Sequence, residues 1–214
     1  MDLSFIFLAV LGIVSMVYLI TLFLKPTILQ YILKGCLAPL IIAVYLTNAN
    51  IILLPIVLAL VFAWAGDILL VKISNLLCFR LGLASFLIGH ICYIIAMFGF
   101  AQPFHVPALV ISAAAGASLG FLLFKIIKPT ADMKIPVIAY ETIIIIMAIF
   151  AFQLFLSQGS YFGILVFVGS LSFLASDTSL ALVTFQKKPF YVFCMATYIA
   201  AQLLITLGFS AYGG

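Results

Sequence analysis

Long apolar runs, separated by short polar breaks, follow one another along almost the whole chain. The run from Ile51 to Val71 is one example, and its only ionisable residue is Asp67. A transmembrane helix needs roughly 20 apolar residues, so runs of this length can cross a membrane. Hydrophobic residues make up 68% of the chain and charged residues 7%, which excludes a water-soluble domain. The unbroken runs are typical of helices rather than of barrel strands, so the sequence predicts an all-α, polytopic membrane bundle.

Breaks at Lys, Pro, Asn and Gly divide the chain into eight candidate transmembrane helices. The predicted spans are residues 3–24, 28–47, 51–71, 76–99, 107–127, 135–156, 161–183 and 190–212. They leave no room for a soluble domain, so we expect residues 1–214 to form a single integral membrane domain. The first span has no basic region before it and no obvious cleavage site, which favours a retained helix over a signal peptide.

The basic residues lie in or beside every second connection between the predicted spans. They are Lys25 and Lys34, Lys72 and Arg80, Lys125, Lys128 and Lys134, and Lys187 and Lys188. The other connections and both termini carry none. The positive-inside rule therefore predicts eight crossings, with the odd-numbered connections in the cytoplasm and both termini on the other side. In a bacterium this would be the inner or plasma membrane.

The net charge of +4 does not indicate a nucleic-acid partner, because the basic residues form no cluster that could follow a phosphate backbone. Four cysteines lie within or beside apolar segments without a CxxC pair, so neither a disulfide framework nor a thiolate metal site is predicted. They are Cys36, Cys78, Cys92 and Cys194. We expect no metal and no cofactor.

Two short segments hint at a weak four-plus-four internal repeat. Leu24-Lys25-Pro26-Thr27 follows span one, and Ile127-Lys128-Pro129-Thr130 follows span five. Spans three and seven, which run in the same direction, carry Asp67 and Asp177 near their inner ends. Parallel repeats of this kind occur in membrane transport proteins.

Four ionisable residues lie well inside the predicted spans, away from the basic residues near the span ends: Asp67, His90, Glu141 and Asp177. An ionisable side chain at membrane depth costs several kcal/mol unless it is paired or hydrated, so each is a candidate functional residue. Counted from the nearest basic residue at 1.5 Å per residue, all four lie roughly 7 to 15 Å inside the cytoplasmic boundary. This shared depth predicts a polar cavity that opens toward the cytoplasm.

Other polar residues are predicted to lie near this layer: Lys34, Tyr140, Tyr198 and Gln202. A purely structural role is the alternative for all of these residues. Buried polar groups can simply join helices through hydrogen bonds, and a lysine near a span end can extend to the interface.

Two carboxyl groups without a catalytic Ser, Cys or metal suit a particular chemistry. In a site of low dielectric constant, two nearby carboxyls tend to share one proton, so one acts as a general acid and the other as a base. Glycosidases cleave acetals in this way. A vinyl ether can follow related logic through protonation of carbon, an oxocarbenium ion and addition of water.

Several short motifs, spread over nearly the whole chain, make the sequence similar to the lysoplasmalogenase family of eight-span membrane proteins. These motifs are Lys25-Pro26, Gly66-Asp67-x-x-Leu70, Gly82-x-x-x-Phe86-x-x-Gly89-His90-x-x-Tyr93, Ala139-Tyr140-Glu141 and Phe173-x-x-Ser176-Asp177. Members of the family hydrolyse the vinyl-ether bond of lysoplasmalogens to a fatty aldehyde and glycerophosphoethanolamine or glycerophosphocholine. The resemblance implies a lysophospholipid, water and membrane lipid as partners, and it leaves the oligomeric state open.

The resemblance also implies roles for the polar layer. Asp67 and Asp177 would form the acid and base pair, and which of them is the acid stays open. Glu141 and His90 would tune their protonation or position water.

Binding residues follow from the same comparison. The substrate phosphate could meet Lys34, Lys25 or Arg80 at the boundary, with Tyr140, Tyr198 and Gln202 as further contacts. The main alternative function is a proton-coupled transporter of lipid or small molecules, because buried carboxyls and His also serve as proton relays.

Overall fold

The computed structural model describes residues 3–24, 27–72 and 75–212, and this part of the chain forms eight α-helices and no strand. Two short 3₁₀ turns, Leu70–Lys72 and Ala131–Met133, follow the third and fifth helices. The α-helices are α1 (Leu3–Thr21), α2 (Ile28–Asn48), α3 (Leu54–Leu69), α4 (Leu76–Phe100), α5 (Val106–Ile127), α6 (Lys134–Gln158), α7 (Tyr161–Gln186) and α8 (Tyr191–Ala211). Each predicted span coincides with one helix.

Seven of these eight helices are long and apolar enough to cross a membrane. The exception is α3, which has 16 residues and is shorter than the predicted span of 51–71. Pro55 lies in its first turn, where the fixed φ of proline favours the start of a helix. At its other end the chain continues into the 3₁₀ turn, so the apolar run is longer than the helix.

Local sequence signals account for the ends of several other helices. The side chain of Asn75 caps α4 by accepting hydrogen bonds from the backbone N–H groups of Leu77 and Cys78, at 3.0 and 3.1 Å. Gly159 ends α6 with a positive φ of 56°, a conformation that glycine adopts at little cost. Pro107 lies in the first turn of α5.

Glycines explain why α3 packs closely on α4 and why α7 packs closely on α8. A Cβ added to Gly89 on α4 would lie 3.1 Å from the carbonyl oxygen of Ala59 on α3. A Cβ added to Gly169 on α7 would lie 3.1 Å from the carbonyl oxygen of Ala201 on α8. Small residues let membrane helices approach one another in this way.

Helix contacts recur when each helix is replaced by the one four places later. The pairs α1–α2, α2–α3 and α3–α4 correspond to α5–α6, α6–α7 and α7–α8, and all six pairs are in contact. The contact of α4 with α6 likewise corresponds to that of α8 with α2. A four-plus-four repeat would produce this arrangement.

The outer surface of the bundle is strongly apolar, as expected for contact with lipid. Ile13 on α1, Phe121 on α5 and Ile135 on α6 are 65%, 65% and 81% exposed. The most peripheral helix is α5, whose buried residues are Gly116 and Ile127. Length, composition and surface together describe an integral, multi-pass membrane protein.

Candidate active site

A central cavity of about 290 Å³ lies between α1, α2, α3, α4, α7 and α8. Asp67 and Asp177 both line it, although 110 positions separate them in the sequence. The other polar residues of its wall are Tyr18, Gln30, Tyr31, Lys34, Ser176, Tyr191, Cys194 and Tyr198, and the apolar ones are Leu22, Leu70, Val71, Phe86, Leu180, Val183 and Met195. The cavity therefore combines two carboxyl groups with a largely apolar wall.

Asp67 lies near the end of α3 and is 2% exposed. The ammonium Nζ of Lys34, on α2, lies 3.5 Å from its Oδ1. The hydroxyl of Tyr198, on α8, donates a 2.6 Å hydrogen bond to its Oδ2. One cation and one hydroxyl donor thus hold this buried carboxylate.

Asp177 lies on α7, and its side chain is 13% exposed. The hydroxyl of Tyr140, on α6, donates a 2.5 Å hydrogen bond to its Oδ2. The Nε2 of His90, on α4, lies 3.8 Å from the same oxygen, which is too long for a hydrogen bond but close enough for electrostatic interaction. His90 is 2% exposed and packs edge-on against the rings of Tyr140 and Phe173.

The two aspartates have corresponding surroundings in the two halves of the bundle. Each is contacted by the helix that precedes it in its own half, through Lys34 for Asp67 and through Tyr140 for Asp177. Each is also contacted by the last helix of the other half, through Tyr198 and His90 respectively. The two arrangements are alike in geometry but differ in charge, because among the described residues a lysine lies beside Asp67 and none lies beside Asp177.

A second layer of polar groups supports Tyr198. The Nε2 of Gln202, one turn further along α8, donates to the Tyr198 hydroxyl at 3.3 Å. The hydroxyl of Tyr93, on α4, donates to Oε1 of Gln202 at 2.7 Å. A chain of three hydrogen bonds therefore links α4 through α8 to Asp67 on α3.

The structure places Glu141 and Arg80 outside the wall of the central cavity. Glu141 faces a smaller cavity, which Asp177 also lines, and a groove between α5 and α6. Arg80 makes an exposed ion pair with Asp132, with 3.0 Å between Nη2 and Oδ2, and is not among the residues that line the central cavity. Lys25 lies outside the described residues. Of the predicted site residues, the structure brings together Asp67, His90, Asp177, Lys34, Tyr140, Tyr198 and Gln202.

Several residues of the cavity wall were not singled out from the sequence. Tyr18, Gln30, Tyr31 and Tyr191 all line the cavity. Each is a polar residue near the inner end of a predicted span, which was the available signal. Tyrosine is common at membrane interfaces, so its presence there did not by itself indicate a site.

The sequence predicts neither a metal site nor a disulfide. These predictions can be compared only with the residues that the structure describes. Within these residues, no three or more His, Cys, Asp or Glu side chains are grouped so that they could hold a metal ion. The thiols of the four cysteines are unpaired there. The Ser176 hydroxyl donates to the carbonyl of Cys194 at 3.0 Å and so ties α7 to α8 beside the cavity.

The fold and the site define a membrane helical bundle with a buried carboxylate pair in a cavity. The family model of the YhhN family, which is the lysoplasmalogenase family, matches residues 29–209. The chain belongs to this family. No curated protein and no solved structure matches the chain.

Proposed function

We propose that the protein is an intramembrane hydrolase that cleaves the vinyl-ether bond of lysoplasmalogens. Family membership supports the reaction class. The observation that carries the proposal is that Asp67 and Asp177 line one cavity, each with a tyrosine hydroxyl bonded to its carboxyl group. The apolar part of the wall suits a single alkenyl chain, and the two carboxyls suit its polar end.

The unequal surroundings of the aspartates suggest their roles. Lys34 provides the countercharge that a buried carboxylate requires, so we assign Asp67 as the anion. Asp177 has two aromatic neighbours and, within the described part of the chain, no lysine beside it, so we assign it as the neutral acid. In this state the pair carries one proton, and that proton lies on Asp177.

The reaction then proceeds by proton transfers between the substrate and these two groups. Asp177 donates its proton to the vinyl carbon that does not bear oxygen, and the carbon–carbon double bond becomes a single bond with an oxocarbenium ion beside it. The charge of Asp67 stabilises this cation. Water attacks the cationic carbon and gives its proton to Asp67, which leaves a hemiacetal.

Collapse of the hemiacetal restores the starting protonation state of the two aspartates. Asp67 returns its proton to the glycerol oxygen as the carbon–oxygen bond breaks. Asp177 takes the proton of the hemiacetal hydroxyl as the aldehyde forms. One water is consumed, and the products are a fatty aldehyde and a glycerophospho-alcohol.

We place the substrate headgroup at the end of the bundle where α2 begins. Lys34, Gln30 and Tyr31 line the cavity there, and Lys25 precedes them in the chain. The basic connections at this end of the bundle support a cytoplasmic location of the site. Arg80 could meet the phosphate only by leaving Asp132, so we expect it to contribute little.

The proposal is tested by aldehyde release from lysoplasmenylethanolamine and lysoplasmenylcholine with purified protein in detergent. We expect release that resists a chelator and that disappears in Asp67→Asn and Asp177→Asn. Thermal unfolding of each variant shows whether the bundle remains folded. Near wild-type turnover by folded Asp→Asn proteins would rule out the carboxyl-pair mechanism.

A proton-coupled transporter is the second candidate function. The recurrence of helix contacts between the two halves favours it, because many transporters consist of two such repeats. Liposomes that contain the protein distinguish the two functions. Proton-dependent uptake of a lysolipid without aldehyde formation would support transport instead of hydrolysis.

A further inference from the structure

A second cavity, between α4, α6 and α7, shares Asp177 with the central cavity. Its volume is about 40 Å³, and its walls are mainly apolar, including Phe79, Leu83 and Ala181. Asp177 lines both cavities. Asp177 therefore borders both a large space, suited to lipid, and a small one.

Two buried polar atoms belong to residues that line the small cavity. They are Oε1 of Glu141, on α6, and Oγ1 of Thr184, on α7. Neither has a hydrogen-bond partner among the described residues. A buried polar atom without a partner costs about 1 to 3 kcal/mol, and buried water commonly satisfies such atoms.

The volume of the small cavity is sufficient for buried water. A cavity needs on the order of 10 to 15 Å³ to hold one water molecule, so about 40 Å³ has room for one or a few. The water also needs two or more polar partners. Glu141, Thr184 and Asp177 supply them.

We propose that this small cavity is the site of the hydrolytic water, held by Glu141 and Thr184 beside Asp177. The inference rests on the proposed vinyl-ether hydrolysis. When a lipid chain fills the central cavity, water from that side is displaced. Water from the small cavity then moves past Asp177 to the oxocarbenium ion in the central cavity, where Asp67 takes its proton. The oxygen of this water becomes that of the aldehyde.

In this arrangement Glu141 and Thr184 are positioning residues that act through water. They take no part in the protonation of carbon by Asp177. Loss of the water site therefore slows capture of the cation without slowing its formation. The cation then returns its proton to Asp177 before water arrives, so that protonation becomes reversible.

The test measures aldehyde release in H₂O and D₂O for Thr184→Val, Glu141→Met and Glu141→Gln. In the wild type we expect transfer of the proton to carbon to limit the rate, so release should be slower in D₂O. In Thr184→Val and Glu141→Met we expect about tenfold slower release, equivalent to the loss of one or two hydrogen bonds, and a smaller solvent isotope effect. Glu141→Gln keeps a hydrogen-bonding group and should retain most of the activity.

Thr47→Val is the matched control, because the Thr47 hydroxyl is exposed and bonds to the carbonyl of Ala43 in its own helix. It should leave both the rate and the isotope effect unchanged. Unchanged release in both Thr184→Val and Glu141→Met, or slower release with the full isotope effect, would overturn the water site alone. Absence of aldehyde from the wild type would overturn the proposed function as well.

Discussion

The hydroxyl of Tyr198 donates a 2.6 Å hydrogen bond to Asp67 across the boundary between the two halves of the bundle. Its counterpart is Tyr140, whose hydroxyl bonds to Asp177 within one half. Both tyrosines are deeply buried, with 4% and 8% of their surface exposed. Each carboxyl group is thus held at a defined position by a phenol, which is the arrangement that an acid–base pair needs.

Removal of the Tyr198 hydroxyl should weaken catalysis more than folding. A hydrogen bond to a charged group contributes roughly 1.5 to 3 kcal/mol. If this energy maintains the reactive position of Asp67, Tyr198→Phe should lower kcat/KM about ten- to a hundredfold. Steady-state kinetics of aldehyde release measure the effect.

Tyr161→Phe is the control for this change, because Tyr161 is 69% exposed at the start of α7. It should retain wild-type kinetics. Tyr140→Phe should reduce kcat/KM to a similar degree as Tyr198→Phe. Wild-type activity in both buried variants would show that the two hydroxyls only join helices.

Lys34 is predicted to stabilise the folded bundle as well as the charge of Asp67. The two side chains are 9% and 3% exposed, and removing one partner of a buried ion pair costs about 3 to 5 kcal/mol. Lys34→Met should therefore lower both the unfolding temperature and the activity. Thermal unfolding in detergent measures the first effect.

The double variant Lys34→Met/Asp67→Asn separates the two effects. It leaves no unpaired charge, so it should recover much of the stability lost in Lys34→Met while remaining inactive. Additive losses of stability in the double variant would mean that the two groups do not interact.

The sequence was sufficient to predict the number and order of the helices, because apolar runs of membrane length leave few alternatives. Both aspartates could also be singled out from the sequence, since a carboxyl group inside an apolar run is conspicuous, and both line the central cavity. The length of α3 was overestimated, because hydropathy does not distinguish a helix from the extended residues and the 3₁₀ turn that adjoin it.

It was harder to predict which side chains contact one another in the site than to predict which residues lie there. Depth along a helix can be counted from sequence, but rotation about the helix axis depends on packing. Glu141 follows Tyr140 directly, yet the two side chains differ by about 100° around α6. Both side chains line the smaller cavity. Tyr140 bonds directly to Asp177, whereas Glu141 also faces the α5–α6 groove.

The orientation in the membrane stays a prediction from the basic residues. It can be measured with single cysteines in a variant whose four native cysteines are replaced and which remains active. Lys188→Cys, in the α7–α8 connection, should be protected from an impermeant thiol reagent in intact cells. Gln102→Cys, in the α4–α5 connection, should react. The reverse labelling would place the site on the outer side.

Close packing of α7 on α8 should make Gly169 intolerant of even one added methyl group. A Cβ at this position would lie 2.7 Å from Cγ1 of Ile205 and 3.1 Å from the carbonyl oxygen of Ala201. The helices would have to separate, and overpacking of this kind costs about 1 to 3 kcal/mol. Because α7 carries Asp177 and α8 carries Tyr198, activity should fall together with stability.

Gly12→Ala is the matched control, since a Cβ at Gly12 on α1 would have nothing within 4 Å. Alanine is about 1 kcal/mol more favourable than glycine inside a helix, so this variant should be as stable as the wild type or slightly more so. Thermal unfolding and aldehyde release are measured for both variants. Equal stability of Gly169→Ala and Gly12→Ala would contradict the close α7–α8 packing that aligns the two halves of the site.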